Sequence, residues 1–250
     1  MWFHQQRCQF LTSTGRLVTV FLLLLTTVVG LSGLAAPQVA AQDQSSFDTR
    51  VRFLHADTDA TKFEVALDGK TVLDNFEYGT LSDWIGLEAG SARLTITEDR
   101  AGVNYTLFDA VYPVPAGNDY EVIITDALVL TSVIDRTPIP DVMARVQIIH
   151  AAVDLPTVNV AATGTGTAIA GRLAYGQTSE YVEVPQGSFD LTVRATQTGE
   201  TAFTQSGVTV EANKVYSLVI MGSPGSEDHP LTITPIDDTT LEREASTPAA

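Results

Sequence analysis

The sequence predicts an all-β fold in which two tandem antiparallel β-sandwich modules follow an N-terminal signal segment. Three observations support this prediction. A strand-like stretch that ends in a histidine and an aspartate occurs twice, at residues 50–59 and 145–154. Many short segments alternate apolar and polar residues with the period of a half-buried strand. Turn signals recur about every ten residues, and no segment after residue 48 shows a convincing helical period.

The composition indicates a folded, acidic protein. The chain has 250 residues, of which 44% are hydrophobic, so it can form one large or two ordinary domains and is too apolar for global disorder. It carries 14 basic and 30 acidic residues, a formal net charge of −16 at pH 7. Because nucleic acids and anionic membranes attract basic patches, this balance argues against both as partners.

Residues 1–41 are predicted to be a secretory signal peptide. A polar, arginine-containing start precedes an almost wholly apolar stretch at 17–36, and Val-Ala-Ala at 39–41 resembles a cleavage site. An uncleaved anchor is the alternative, because about 20 apolar residues can span a bilayer. We expect cleavage near Ala41, a polar spacer at 42–48, and a secreted or cell-envelope protein without membrane attachment after cleavage.

The body of the chain is an internal duplication. His55 and Asp59 recur as His150 and Asp154, 95 residues later. A Tyr-Gly-x-x-Ser segment, followed by an acidic and an aromatic residue, begins at Tyr78 and recurs 97 residues later. Self-similarity over most of a chain is the signature of repeated structural units. Drift of one or two residues in the spacing indicates small insertions in turns.

Each copy is predicted to be a sandwich of the immunoglobulin or transthyretin type, with about six to eight strands in about 95 residues. The first module spans residues 49–134 and the second spans 144–238. The linker 135–143 contains two prolines, which predicts a stiff connection and modules that unfold separately. The polar tail, residues 239–250, is predicted to be disordered.

The clearest candidate site is the repeated pair of His55 with Asp59 and of His150 with Asp154. A histidine with a carboxylate can act as a general base or bind a metal. Alternatively, the pair is a structural latch, in which the aspartate caps the turn after the strand and the histidine bonds backbone. Occurrence in both copies favours the latch, because a duplicated catalytic centre is uncommon.

Signatures of catalysis or cofactor binding are not found. The chain has no G-x-S-x-G or H-E-x-x-H motif, and its only cysteine, Cys8, precedes the apolar N-terminal stretch. Ser223 and Ser226 lie near His229, but in a Gly/Pro/Ser-rich loop that would not orient them. This loop is the longest difference between the copies, since the first has only Asp126-Ala127 there. We predict no catalytic residue, no cofactor and no metal site.

Two weaker interpretations concern cations and sugars. Acidic pairs are candidates for loose Ca²⁺ binding, although solvated turns are the favoured interpretation. These pairs are Asp57/Asp59, Glu98/Asp99 and Asp237/Asp238. Several aromatic residues are candidates for a sugar-binding platform, although packing in the core is more common. These residues are Tyr78, Trp84, Tyr105, Phe108, Tyr112 and Tyr120.

The repeated segments resemble the domain-of-unknown-function 4397 family of bacterial secreted proteins. The resemblance covers residues 49–238 and rests on the strand that ends in His-Ala, the following aspartate and the Tyr-Gly-x-x-Ser segment. The family typically has His-Ala-Ser-Pro-Asp at the strand end, and both copies here lack the serine and the proline. The resemblance implies β-sandwich modules, often in tandem, and an envelope or extracellular location, but no activity.

Together these observations predict a secreted, non-enzymatic binding or adhesion module at the cell surface, whose partner is a surface protein or a glycan. One alternative is a carbohydrate-binding accessory protein, which clustered exposed aromatic residues on one sheet face would support. Another is a hydrolase that uses His55 or His150 with a carboxylate, which would need a deep pocket around one of these histidines.

Overall fold

The computed structural model describes residues 49–60, 62–100, 103–163 and 166–239. All sixteen regular elements in these ranges are strands, so the predicted all-β fold is confirmed. None of this part of the chain forms a helix that could cross a membrane. The predicted signal peptide, its cleavage site and the spacer lie outside the described residues, as do residues 240–250 of the predicted tail.

The first module has eight strands in two four-stranded sheets. They are β1 (Thr49–His55), β2 (Lys62–Leu67), β3 (Lys70–Glu77), β4 (Ile85–Leu87), β5 (Gly90–Arg100), β6 (Val103–Val114), β7 (Asp119–Ile124) and β8 (Val129–Val133). The inner sheet has the order β4-β1-β7-β8, and the outer sheet has the order β3-β2-β5-β6. Phe53 of the inner sheet and Phe63 and Ile96 of the outer sheet lie in the core between them.

The second module repeats this arrangement strand for strand. Its strands are β9 (Met143–His150), β10 (Val158–Ala162), β11 (Ala168–Leu173), β12 (Val182–Pro185), β13 (Gly187–Ala195), β14 (Thr201–Val210), β15 (Val215–Met221) and β16 (Thr232–Asp237). Its inner sheet has the order β12-β9-β15-β16, and its outer sheet has the order β11-β10-β13-β14. The two modules therefore have the same topology, in agreement with the sequence duplication.

One strand pair in each inner sheet is parallel, whereas the sequence predicted antiparallel sandwiches. Strands β1 and β7 run parallel, as do β9 and β15, and the other named pairs are antiparallel. The chain leaves the inner sheet after β1, visits the outer sheet, and returns to lie beside β1 in the same direction. Parallel neighbours need such a long crossover, and this one passes through the other sheet of the sandwich.

The two modules share a third apolar cluster, which lies between their inner sheets. Leu54 and Ile123 of the first module and Ile149 and Val219 of the second belong to it, and each is at most 1% exposed. Strands β1, β7, β9 and β15 are thus buried on both faces, which explains their near-continuous apolar sequences. The prediction of separate unfolding assumed modules held apart by a stiff linker, and the shared cluster removes that assumption.

Candidate functional site

Both histidines of the repeated pair lie at the ends of the opening strands, and both are fully buried. The Nδ1 atom of His55 accepts a hydrogen bond from the Asp57 N–H at 3.3 Å, and its ring stacks on Phe63. The Nε2 atom of His150 donates to the carbonyl oxygen of Pro156 at 3.3 Å. Each imidazole therefore bonds backbone, as the latch interpretation requires.

Burial disfavours the charged form of both imidazoles. It lowers the pKa of His55 to about 4, with Asp126 opposing the shift and His229 adding to it. Burial also lowers the pKa of His150, although bonds to backbone groups oppose the shift. The neutral form of both rings is therefore favoured, and its low pKa makes His55 a weak base. Their environment thus does not favour the general-base interpretation.

The two aspartates of the repeated pair are exposed, and a neighbouring residue caps the first turn. The Oδ1 atom of Asp57 accepts the N–H groups of Asp59 at 2.9 Å and Ala60 at 3.0 Å. The capping role that the sequence suggested for Asp59 therefore belongs to Asp57, because a short carboxylate reaches the N–H two residues ahead. In the second module, Asp154 instead accepts the hydroxyl of Ser223 at 3.1 Å.

A cleft of about 360 Å³ opens beside this first turn, between strand β6 and the β7–β8 turn. Its lining is mostly apolar and includes residues from both sheets of the first module. The apolar lining residues are Ala60, Ile96, Leu107, Phe108, Ile124, Ala127, Leu128 and Val129. Three carboxylates, those of Asp57, Asp59 and Asp126, also line it. The cleft thus combines apolar surface with three carboxylates.

The carboxylates of the cleft are held in place by backbone and hydroxyl donors. The Oδ1 atom of Asp126 accepts both the N–H and the hydroxyl of Thr58 at 2.8 Å. Burial, followed by the nearby carboxyl of Asp126, raises the pKa of Asp57 to about 6, against backbone hydrogen bonds that lower it. Within the described ranges, no three His, Cys, Asp or Glu side chains form a group that could hold a metal ion.

The corresponding position in the second module carries a larger side chain. Leu155 stands where the first module has Ala60, and it is buried in the core of the second module. Ten residues, 222–231, connect β15 to β16, whereas only four, 125–128, connect β7 to β8. The side chain of Gln205 on β14 accepts hydrogen bonds from the Thr232 hydroxyl at 3.1 Å and the Ile233 N–H at 3.2 Å. These contacts join β14 to β16 in the second module.

A β-bulge in β6 helps to shape the cleft. Ile96 pairs with Phe108 and Thr97 pairs with Thr106, so Leu107 between them has no partner on β5. As a result, the consecutive residues Leu107 and Phe108 both line the cleft. Bulges redirect side chains in this way and are frequent beside functional sites. The bulge recurs in β14, but its unpaired residue there is Ala202.

The aromatic residues considered for a sugar platform are dispersed. Tyr78 contacts His229 of the second module, with 4.1 Å between ring centroids. Trp84 is covered by the guanidinium groups of Arg50 and Arg52, at 5.0 and 4.5 Å. Phe108, Tyr112 and Tyr120 pack against the core of the first module, and Tyr105 is 48% exposed. Phe108 and Tyr112 stack on each other, with 6.0 Å between ring centroids, whereas Tyr78 and Trp84 are in contact with other side chains.

Buried charges lie between the inner sheets, a feature that the sequence reasoning missed. The guanidinium of Arg52 forms an ion pair with Asp238 of the second module and lies 3.4 Å from the carboxylate of Glu121. Asp238 also accepts the hydroxyl of Ser217 at 2.6 Å. Burial, and then the nearby Asp238, raises the pKa of Glu121 to about 8. The alternation of side chains along a strand could have indicated that Arg52 is buried, because Arg52 and Leu54 lie on the same face of β1.

The proximity of Asp57 to Asp126 does not follow from the sequence alone. The sequence groups Asp57 with Asp59, as a weak candidate for Ca²⁺ binding, and places Asp126 in a short turn. The difference between the copies could have drawn attention to this position. The first copy has a carboxylate, Asp57, that the second lacks, and it also lacks the long loop of the second copy. The 69-residue separation of Asp57 and Asp126 in sequence hides their proximity, which depends on β7 returning beside β1.

Comparison with known proteins addresses family membership. The profile of a family described as a domain of unknown function, DUF4397, matches residues 49–161 and 144–249. No curated protein matched the chain. The two overlapping matches agree with the two modules of the fold, and the resemblance inferred from the repeated segments is confirmed. The chain therefore belongs to the DUF4397 family and contains two copies of its domain.

Proposed function

We propose that this protein is a secreted or cell-envelope binding protein without enzymatic activity, and that it binds its ligand in the cleft of the first module. The observation that carries the proposal is the cleft with its carboxylates, at a position where the second module has the larger side chain of Leu155 in place of Ala60. Its volume of about 360 Å³ falls in the range of about 300–1,000 Å³ typical of ligand sites.

The positions of the histidines and aromatic residues favour a binding function in this cleft over a hydrolase or a carbohydrate-binding platform. A hydrolase built on His55 or His150 would need an accessible ring, and both rings are buried and bonded to backbone. A carbohydrate platform would need aromatic residues on one face, and the candidates are dispersed. The first module instead offers a cleft in which Asp57 and Asp126 are held by hydrogen bonds to the neighbouring turn.

The proposal is tested with labelled full-length protein on peptide and glycan arrays. Ala60→Leu introduces the residue that fills the same position in the second module, so we expect at least about tenfold weaker binding of any ligand found. Ala202→Leu adds the same bulk at the second module's bulge and is the matched control, which should bind as the wild type does. Equal ligand affinity of Ala60→Leu and wild type, with both folded, would place the ligand elsewhere and refute the proposal.

A further inference from the structure

We infer that the cleft binds an extended peptide, which adds as a strand to the open edge of β6 and directs a lysine or arginine side chain towards Asp57 and Asp126. This inference rests on the proposed function, because it names the ligand of the same cleft. Three features carry it: an unpaired strand edge, a set of fixed carboxylates, and an apolar lining.

Strand β6 presents the open edge. It has twelve residues, the largest number among the named strands, and it pairs only with β5 in the described part of the chain. Val103, Leu107 and Val111 are 53%, 44% and 62% exposed. Proteins usually protect such edges, because the unpaired N–H and C=O groups accept another strand. The equivalent strand β14 is also the last strand of its sheet, but it is rich in threonine, serine and glutamine, and its Gln205 side chain is bonded to β16.

Charge complementarity indicates a cationic side chain. Asp57 and Asp126 each use Oδ1 to hold the turn beside them, which fixes both carboxylates before any ligand binds. The nearby carboxyl of Asp126 disfavours ionisation of Asp57, and an ammonium or guanidinium group between them would relieve that repulsion. Asp59 adds a third carboxylate to the lining of the cleft.

The apolar lining suits the stem of such a side chain. Lysine and arginine bury their methylene groups along apolar surfaces while the charged end remains polar. Leu107, Phe108 and Leu128 provide such a surface, since they line the cleft together with the carboxylates, and Leu107 and Phe108 belong to β6 itself. An added strand would therefore place alternate side chains at the cleft, and main-chain hydrogen bonds would supply affinity without a sequence requirement.

A second copy of this chain is the competing occupant of the edge. Pairing of β6 with β6 would bring together two chains that each carry a formal net charge of −16. It would also bring two sets of cleft carboxylates towards each other, and like charges across an interface are unfavourable. A basic peptide could form hydrogen bonds with the β6 edge and also neutralise the cleft carboxylates. For this reason we infer a basic peptide rather than self-association.

The probe is a fluorescent heptapeptide that alternates valine and lysine, titrated into full-length protein. Two control peptides accompany it: one has glutamate in place of lysine, and the other is N-methylated at every backbone nitrogen. We expect binding of the lysine peptide that weakens as salt is added. Either control should bind at least about tenfold more weakly, because one loses the charge attraction and the other loses the strand hydrogen bonds.

The protein variants are chosen to remain folded. Asp57→Asn and Asp126→Asn keep the Oδ1 acceptor that holds the turn, remove the charge, and should weaken lysine-peptide binding by about tenfold each. Asp154→Asn, at the position in the second module that matches Asp59, should leave binding unchanged. Circular dichroism and thermal unfolding confirm that each variant is folded.

The outcomes separate this inference from the proposed function. If Ala60→Leu abolishes binding of some array ligand while neither the lysine peptide nor its N-methylated form binds, the cleft is a binding site but the peptide inference is wrong. Equal affinity of the N-methylated peptide would also overturn strand addition. Self-association that is abolished by Leu107→Ala and unaffected by the lysine peptide, measured by analytical ultracentrifugation, would identify a second copy as the occupant.

Discussion

Arg52 of the first module and Asp238 of the second form an ion pair that is buried between the two inner sheets. Their side chains are 6% and 0% exposed, and the carboxyl group of Glu121 lies 3.4 Å from the guanidinium of Arg52. Gln147 extends the network by donating to Ser132 of the first module and Ser217 of the second, both at 2.9 Å. The interface between the modules therefore has an apolar part, which contains Leu54, and a polar part, which contains Arg52. Each part contains residues of both modules.

This interface predicts that the modules unfold together. We expect one calorimetric transition for the whole protein, and Arg52→Ala should lower the free energy of unfolding by about 3–5 kcal/mol, because it leaves two buried carboxyls without their cation. The control is Arg93→Ala, which removes an exposed pair with Asp109 on the outer sheet and should change stability little. Two independent transitions in the wild-type protein would contradict the prediction.

The sequence could predict the modules but not the way they meet. The duplication and the two-residue alternation of Phe63, Val65 and Leu67 follow from local chemistry, so they are visible in one sequence. Whether Arg52 faces solvent or another sheet is decided by a surface far away in the chain. The alternating positions on β1 look the same in both cases. The cleft was hidden for a similar reason, since its carboxylates approach each other only after β7 returns beside β1.

The turn after β1 gives a second prediction. Asp57→Ala should destabilise the protein by about 1–2 kcal/mol, because the N–H groups of Asp59 and Ala60 lose their acceptor. Asp59→Ala should change stability little, because the carboxylate of Asp59 is exposed. Asp59 takes part in the turn through its backbone N–H, which alanine keeps. Urea denaturation of both variants checks this. A larger loss of unfolding free energy for Asp59→Ala than for Asp57→Ala would show that Asp59 caps the turn.

The state of the histidines gives a third prediction, which concerns catalysis. Because both rings are buried, neutral and bonded to backbone, we expect no turnover in broad esterase, glycosidase and peptidase screens. His55→Gln and His150→Gln serve as controls for any activity found. Turnover by the wild type that is lost in either variant, while the variant keeps its circular dichroism spectrum, would establish a catalytic role and remove the non-enzymatic proposal.

The fourth prediction concerns export. The apolar stretch at residues 17–36 and the Val-Ala-Ala sequence at 39–41 lead us to expect a mature protein that starts near residue 42. N-terminal sequencing of the protein recovered from culture medium or envelope fractions measures the start directly. Recovery in the membrane fraction with Met1 retained would instead indicate an uncleaved anchor.

The fifth prediction concerns the pH dependence of stability, and it uses the buried carboxyl of Glu121. Burial raises its folded-state pKa to about 8, above an ordinary value of 4.5. Between these values the folded protein holds a proton that the unfolded chain has released. The contribution of Glu121 to the free energy of unfolding therefore falls as pH rises from about 4.5 to about 8.

His55 and His150 act in the opposite direction, so the pH effect must be measured as a difference. Burial lowers their folded-state pKa values, which makes stability rise with pH up to about 6.5, the ordinary pKa of histidine. Glu121→Gln keeps the shape of the side chain and removes its titration, while both histidines remain. In urea denaturation at pH 5, 6.5 and 8, the stability of Glu121→Gln relative to wild type should increase with pH. A constant difference would show that Glu121 is already ionised throughout this range, with its charge balanced by Arg52.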